Sequence, residues 1–173
     1  MFFRIKERHY LRKCVSYLNR EQDPMAEKKI AVVTDVPLGP WFGEIYDLVL
    51  TDRRFLLCFV EKFTTKTKPL HSSGRSLEEY DKESIDVLAS RDKSISIPYS
   101  TVQHIRMKKA LVEQPAWYYL IVHHEDSEGK KGKLKMMIHA PQEQGQLEYA
   151  IEIRTIIERA LPTNVLQKSE WPF

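Results

Sequence analysis

The sequence predicts a mainly β protein with added helices: seven antiparallel strands bent into a barrel and capped by a C-terminal helix. Three observations lead there. Seven short segments rich in apolar, β-branched and aromatic residues are separated by turn formers. "LVLTDRRFLLCFV", residues 48–60, reads as strand, tight turn and return strand. One long amphipathic stripe follows the last segment and stops at Pro162.

The elements follow in order. Residues 1–24 are predicted as a basic amphipathic helix, with Tyr10, Leu11, Cys14, Val15 and Leu18 on one face and Phe3 one heptad before Tyr10. Met25 offers a second start ("MAEKK"), which would leave this leader outside the protein. Residues 25–161 form the barrel domain. Its first three strands are Ile30–Val36, Phe42–Leu50 and Phe55–Val60, and Asp52 in the tight turn is expected to accept backbone N–H groups ahead of it. Residues 62–93 are an insertion between strands three and four. It opens as a polar loop, and Leu77, Tyr80, Ile85 and Leu88 then recur at helical spacing behind a Ser76/Glu79 capping box. Strands resume at Ser94–Ile97, Thr101–Lys108, Trp117–His123 and Lys133–His139, the last two as a hairpin about "EDSEGKKG". From Pro141 to about Ala160 runs the capping helix, whose stripe is Tyr149, Ala150, Ile153, Ile156, Ile157 and Ala160. Residues 162–173 are read as a C-terminal tail, in which Trp171 and Phe173 could dock on the body or on another copy.

The third strand poses a packing problem. Phe55, Leu57 and Phe59 fill one face, so Leu56, Cys58 and Val60 need cover on the other. Burying three such side chains contributes very roughly 5 kcal/mol, too much to forgo in water. The N-terminal helix, the insertion helix, a second subunit or a lipid surface could supply the cover.

Two segments carry a family resemblance. "LVLTDRRFLL" resembles the strand-turn-strand signature of pleckstrin-homology-like and GRAM-like domains of the bacterial and archaeal type, and "SISIPYSTVQHIRM" is similar to a second segment of the same domains. The resemblance covers about residues 28–161. It implies a scaffold for binding proteins, lipids or its own copies, with no catalytic residues and no obligatory cofactor. The loop between the first two strands, "DVPLGPW", lacks the Lys and Arg through which phosphoinositide-binding members resemble one another.

Charge narrows the functions. The first 24 residues hold six basic and three acidic side chains, leaving 21 of the 27 basic and 21 of the 24 acidic residues in a neutral body. A neutral body argues against general nucleic-acid binding. Two cysteines are no disulfide framework, and no stretch reaches the ~20 apolar residues of a membrane span. No apolar signal core follows Phe2 and Phe3, so a cytoplasmic location is expected, with peripheral attachment to the inner face of the membrane as the alternative. No GxSxG or glycine-rich phosphate loop is present, and adjacent His123 and His124 point to opposite faces of a strand, so no catalytic, cofactor or metal site is expected. With the hairpin turning near Glu128-Gly129, His139 falls about opposite Tyr118. The basic tip Gly129–Lys135 beside Trp117, Tyr118 and Tyr119 reads either as a soluble turn plus core aromatics or as a membrane contact.

The expected function is a non-catalytic binding module that engages a protein partner or assembles with itself. The alternative is peripheral membrane association through the cationic leader. The candidate contact residues are Phe2, Phe3, Arg4, Lys6, Arg8, Arg12 and Lys13 for a membrane or partner, Arg53 and Arg54 for an anionic partner, and Leu56 and Val60 for self-assembly.

Overall fold

A computed structural model describes residues 15–17, 26–38, 43–62, 77–110, 117–140 and 144–173. Among these residues nine strands form one sheet: β1 (Val15–Tyr17), β2 (Lys29–Leu38), β3 (Glu44–Thr51), β4 (Arg54–Lys62), β5 (Ile95–Pro98), β6 (Val102–Lys109), β7 (Tyr118–Glu125), β8 (Lys131–Ile138) and β9 (Ser169–Glu170). The helices are α1 (Leu77–Lys82), α2 (Ile85–Ala89), α3 (Gln146–Ala160) and α4 (Thr163–Leu166).

All seven expected strands are present as β2 to β8, but the count of seven needs correction, and the hydrogen-bonded order of the expected bent barrel does not close. The sheet runs β5-β4-β3-β2-β8-β7-β6-β9 and is open between its two end strands. Chemistry at the β5 end explains the opening. β5 stops at Pro98, which has no N–H to extend a ladder, and a three-residue 3-10 turn (Tyr99–Thr101) leads directly into β6, which belongs to the other end of the strand order. At the middle, β2 meets β8 only at Leu38↔Met136. That leaves the first half of β2 with a free edge, which β1 fills through Val15↔Val33, Ser16↔Val32 and Tyr17↔Ala31.

The expected N-terminal helix therefore fails at residues 15–17, where edge pairing overrides helical periodicity. The remainder of that helix, and with it Phe2, Phe3, Arg4, Lys6, Arg8, Arg12 and Lys13, lies outside the described residues. The tail reading also changes: residues 163–166 form α4, and residues 169–170 pair parallel to β6. Among its described residues the insertion holds two short helices rather than one. Ser84 breaks them apart and caps α2, its hydroxyl accepting the Val87 N–H at 3.3 Å. Ser76 of the expected capping box lies outside the described residues.

Two apolar clusters flank the sheet. The main core joins Leu48, Leu50, Phe55, Leu57, Ile105, Leu120, Val122, Met136 and Ile138 to the α3 stripe Tyr149, Ala150, Ile153, Ile156, Ile157 and Ala160. The second lies on the opposite face, where Tyr80, Ile85 and Leu88 of the insertion cover Val32, Val49, Leu56 and Cys58. The two-faced third strand is thus covered by the chain itself. Val60 escapes this scheme because the β3–β4 register passes from Ile45↔Glu61 to Tyr46↔Phe59, making Val60 the bulged, half-buried residue.

Polar groups pin the insertion down. Buried Asp47 accepts the Asp35 N–H at 2.9 Å and the Tyr80 hydroxyl at 2.6 Å. Asp35 sits at φ 57° in the register shift between Val33 and Val36, so the first bond braces a left-handed bulge residue. Lys29, also buried, donates its ammonium to the Tyr80 carbonyl, to Glu83 O at 2.6 Å and to Asp81 O at 3.4 Å, capping the C-terminal end of α1.

Candidate binding face

The two segments that carry the family resemblance meet in space. Thr51 organises the β3–β4 turn, its hydroxyl oxygen accepting the N–H groups of Arg53 (3.0 Å) and Arg54 (2.9 Å). Asp52 does not perform that task. It reaches back to accept the Lys28 N–H at 2.9 Å. Tyr99 of "IPYS" closes the corner: its N–H donates to Arg53 O, its hydroxyl donates to Thr51 O, each at 2.8 Å, and its ring meets Phe55 edge-on at 5.1 Å. Burial, first, and the nearby Asp52 and Glu27 charges raise the Tyr99 pKa well above its ordinary value, so the hydroxyl stays a donor.

This latch decides the roles of the two turn arginines. Arg54 is committed to the fold, donating Nε to both Glu27 oxygens at 2.9 and 3.0 Å and Nη1 to Ser96 Oγ at 3.3 Å. Burial works against the Glu27 charge, but the hydrogen bonds from Arg54 and Thr51 outweigh it and hold the carboxyl below its ordinary pKa. Arg53 remains exposed at the turn. Leu56 is fully buried under the insertion helices and is not a contact surface.

A different face gathers the charge. The register places His104↔His123↔Lys133, Arg106↔Ile121↔Lys135 and Lys108↔Tyr119↔Met137 in three rungs across β6, β7 and β8, on the side away from the main core. The centre is half-buried Tyr119 and His123 with Ile121 between them, flanked by cationic rails on β6 and β8. Strand spacing sets those rails roughly 10 Å apart. Lys135 Nζ lies 3.7 Å from the Tyr119 ring centroid. Among the described residues, Arg106, Lys108, Lys131, Lys133 and Lys135 face two carboxylates there, Glu125 and Glu170.

His104 and His123 bring their rings to 6.1 Å. Burial, and then Lys133, His104, Arg106 and His124, lower the His123 pKa, so it is neutral at pH 7. His124 turns to the other face, over Gly132, where a Cβ would run into the imidazole. His139 is one place off its expected partner, since Tyr118 pairs with Ile138, and its ring lies 6.0 Å from Trp117. Among the described residues no three His, Cys, Asp or Glu side chains are placed to hold a metal ion, and no helix is long and apolar enough to cross a membrane.

The basic hairpin tip was visible in the sequence, but Arg106 and Lys108 were not singled out. A signal existed: Arg106 and Lys108 in "HIRMK" (His104–Lys108), and Lys131, Lys133 and Lys135 in "KGKLK", recur at every second position. Only the register shows that both rows share a face.

No protein-family model and no curated protein matches the chain. Among solved structures, the hSac2 domain from human phosphoinositide phosphatase Sac2 is similar at 13% identity and a TM-score of 0.49, over 86% of this chain and 76% of that one. A likeness at that level carries no argument about fold family or function.

Proposed function

We propose that the chain is a non-catalytic, pleckstrin-homology-like binding module, and that the outer face of β6, β7 and β8 takes an acidic protein partner. Support for the family comes from the latch between "TDRR" and "IPYS", and from the succession of seven strands, sharp corner and sealing α3. The observation that carries the function is the pair of cationic rails flanking half-buried Tyr119 and His123, with buried Ile121 between them. A body of neutral total charge that concentrates cations on one face favours steering of an anionic partner over general repulsion or solubility. Self-assembly through Leu56 loses its surface, because that side chain is covered from within.

Labelled polyglutamate titrated against the full chain tests the reading. Binding at low salt that weakens steeply with added salt is expected, and Arg106→Glu with Lys133→Glu and Lys135→Glu should reduce it by about tenfold or more. Equal binding by the triple variant would refute the assignment of this face. Sedimentation with anionic vesicles that survives the triple variant but requires Arg4, Lys6 and Arg8 would instead favour membrane association through the leader.

A further inference from the structure

Lys168–Phe173 lie in the angle between the edge of β6 and α3. The Ile105 N–H donates to the Lys168 carbonyl at 3.1 Å, and β9 runs parallel to β6 with Ile105 opposite Ser169 and Arg106 opposite Glu170. Side chains then alternate: Ser169, Trp171 and Phe173 are half-buried, while Glu170 and Pro172 are exposed. Glu170 stands 3.4 Å from His104 Nε2 and 3.5 Å from Arg106 Nε, at the rim of the cationic face. Phe173 meets Tyr118 edge-on at 5.6 Å. Arg154 of α3 serves both aromatic positions, with its guanidinium 5.7 Å from the Trp171 ring and a hydrogen bond donated to the Phe173 carbonyl.

That arrangement has the anatomy of a bound peptide: main-chain pairing along a sheet edge, with side chains at alternate positions taking separate seats. Here the occupant is covalently attached. Its ladder is two residue pairs long, and Glu170 is 62% exposed. A terminal element held this way opens locally far more readily than the central strands.

We propose that the angle between β6 and α3 is a docking groove for an extended segment of a partner protein, carrying an acidic residue followed by two aromatic residues separated by one position. The chain's own Glu170-Trp171-Pro172-Phe173 fills the groove by imitation. The proposal rests on the acid-binding reading of the outer face and adds the aromatic half of the partner. One segment fills the Arg106, Arg154 and Tyr118 seats, so its release opens all three together, with Arg154 kept in place by its Nε bond to Glu158 at 2.9 Å.

The test uses full-length protein and a fluorescent hexapeptide, Lys-Ser-Glu-Trp-Pro-Phe. A W171A/F173A double variant removes the internal competitor and should bind the peptide roughly tenfold more tightly than the native chain. Adding Arg154→Ala should cancel that gain, and a peptide with alanine at both aromatic positions should not bind. Glu170→Gln loosens the tail while keeping both rings, and should raise affinity about twofold to threefold. It carries the test if the double variant loses its near-ultraviolet circular dichroism. No gain in a folded variant, or equal binding of the alanine peptide, overturns the proposal. A native dimer whose tail protection from hydrogen exchange disappears on dilution overturns it too, by making a second copy the occupant. Peptide binding lost with polyglutamate binding intact removes the groove alone, whereas loss of both removes the reading beneath it.

Discussion

Tyr99 shows how one hydroxyl can fix the meeting of two distant segments. Its bond to the Thr51 carbonyl is buried, so Tyr99→Phe leaves that acceptor short of a donor and should cost about 1 kcal/mol, seen as a lower urea midpoint at unchanged m. Glu27 gives the matching electrostatic case. Its folded-state pKa lies below the ordinary 4.5, so its contribution is present above pH 4.5 and lost as pH falls through the folded value. Arg54→Ala should therefore destabilise by about 1–3 kcal/mol at pH 7 and by progressively less toward pH 3, in denaturation curves taken across that range. An effect that stayed constant with pH would mean that Arg54 acts by packing rather than by its charge.

The insertion helices are too short to be stable alone, and what places them is burial plus two polar pins. Tyr80 and Leu88 supply apolar surface over Leu56 and Cys58, while Lys29 and Asp47 tie the C-terminal half of α1 to the sheet. Leu88→Ala should cost about 2–5 kcal/mol through the cavity it leaves. Lys29→Met keeps the apolar stem but removes the donor to the α1 carbonyls. In a Cys14→Ser background it should raise the reaction rate of buried Cys58 with a thiol reagent about tenfold by easing local opening. An unchanged rate would show that the apolar cover alone sets the opening.

Across the whole molecule, the clustered charge on β6–β8 makes stability and binding respond to pH in opposite senses. The His123 pKa is lowered in the folded chain, so on acidification below pH 6.5 the unfolded chain takes up its proton first and stability falls through that window. His123→Gln should flatten the slope between pH 7 and pH 5 in thermal melts. A bound anion favours the protonated ring, so polyglutamate affinity should rise over the same interval in the native chain and rise less in the variant. An identical slope in the two proteins would place the sensitivity elsewhere.

The sequence alone determined the seven main strands, the helical insertion and the sealing helix, because each rests on local periodicity and turn chemistry. It also posed the question of the two-faced strand, since "FLLCFV" leaves apolar side chains on both sides whatever the fold. Register, edges and polar pins were decided only in three dimensions. Val15–Tyr17 has helical spacing but takes a sheet edge that exists only because β2 and β8 diverge. Arg54 looks like a free cation until Glu27 is brought beside it across 27 residues. The cationic rails became one face when β6 and β8 paired on either side of β7, and the tail became an element when β6 offered it an edge. Local chemistry is written along the chain, whereas pairing between distant backbones depends on which edges remain open after the sheet has formed.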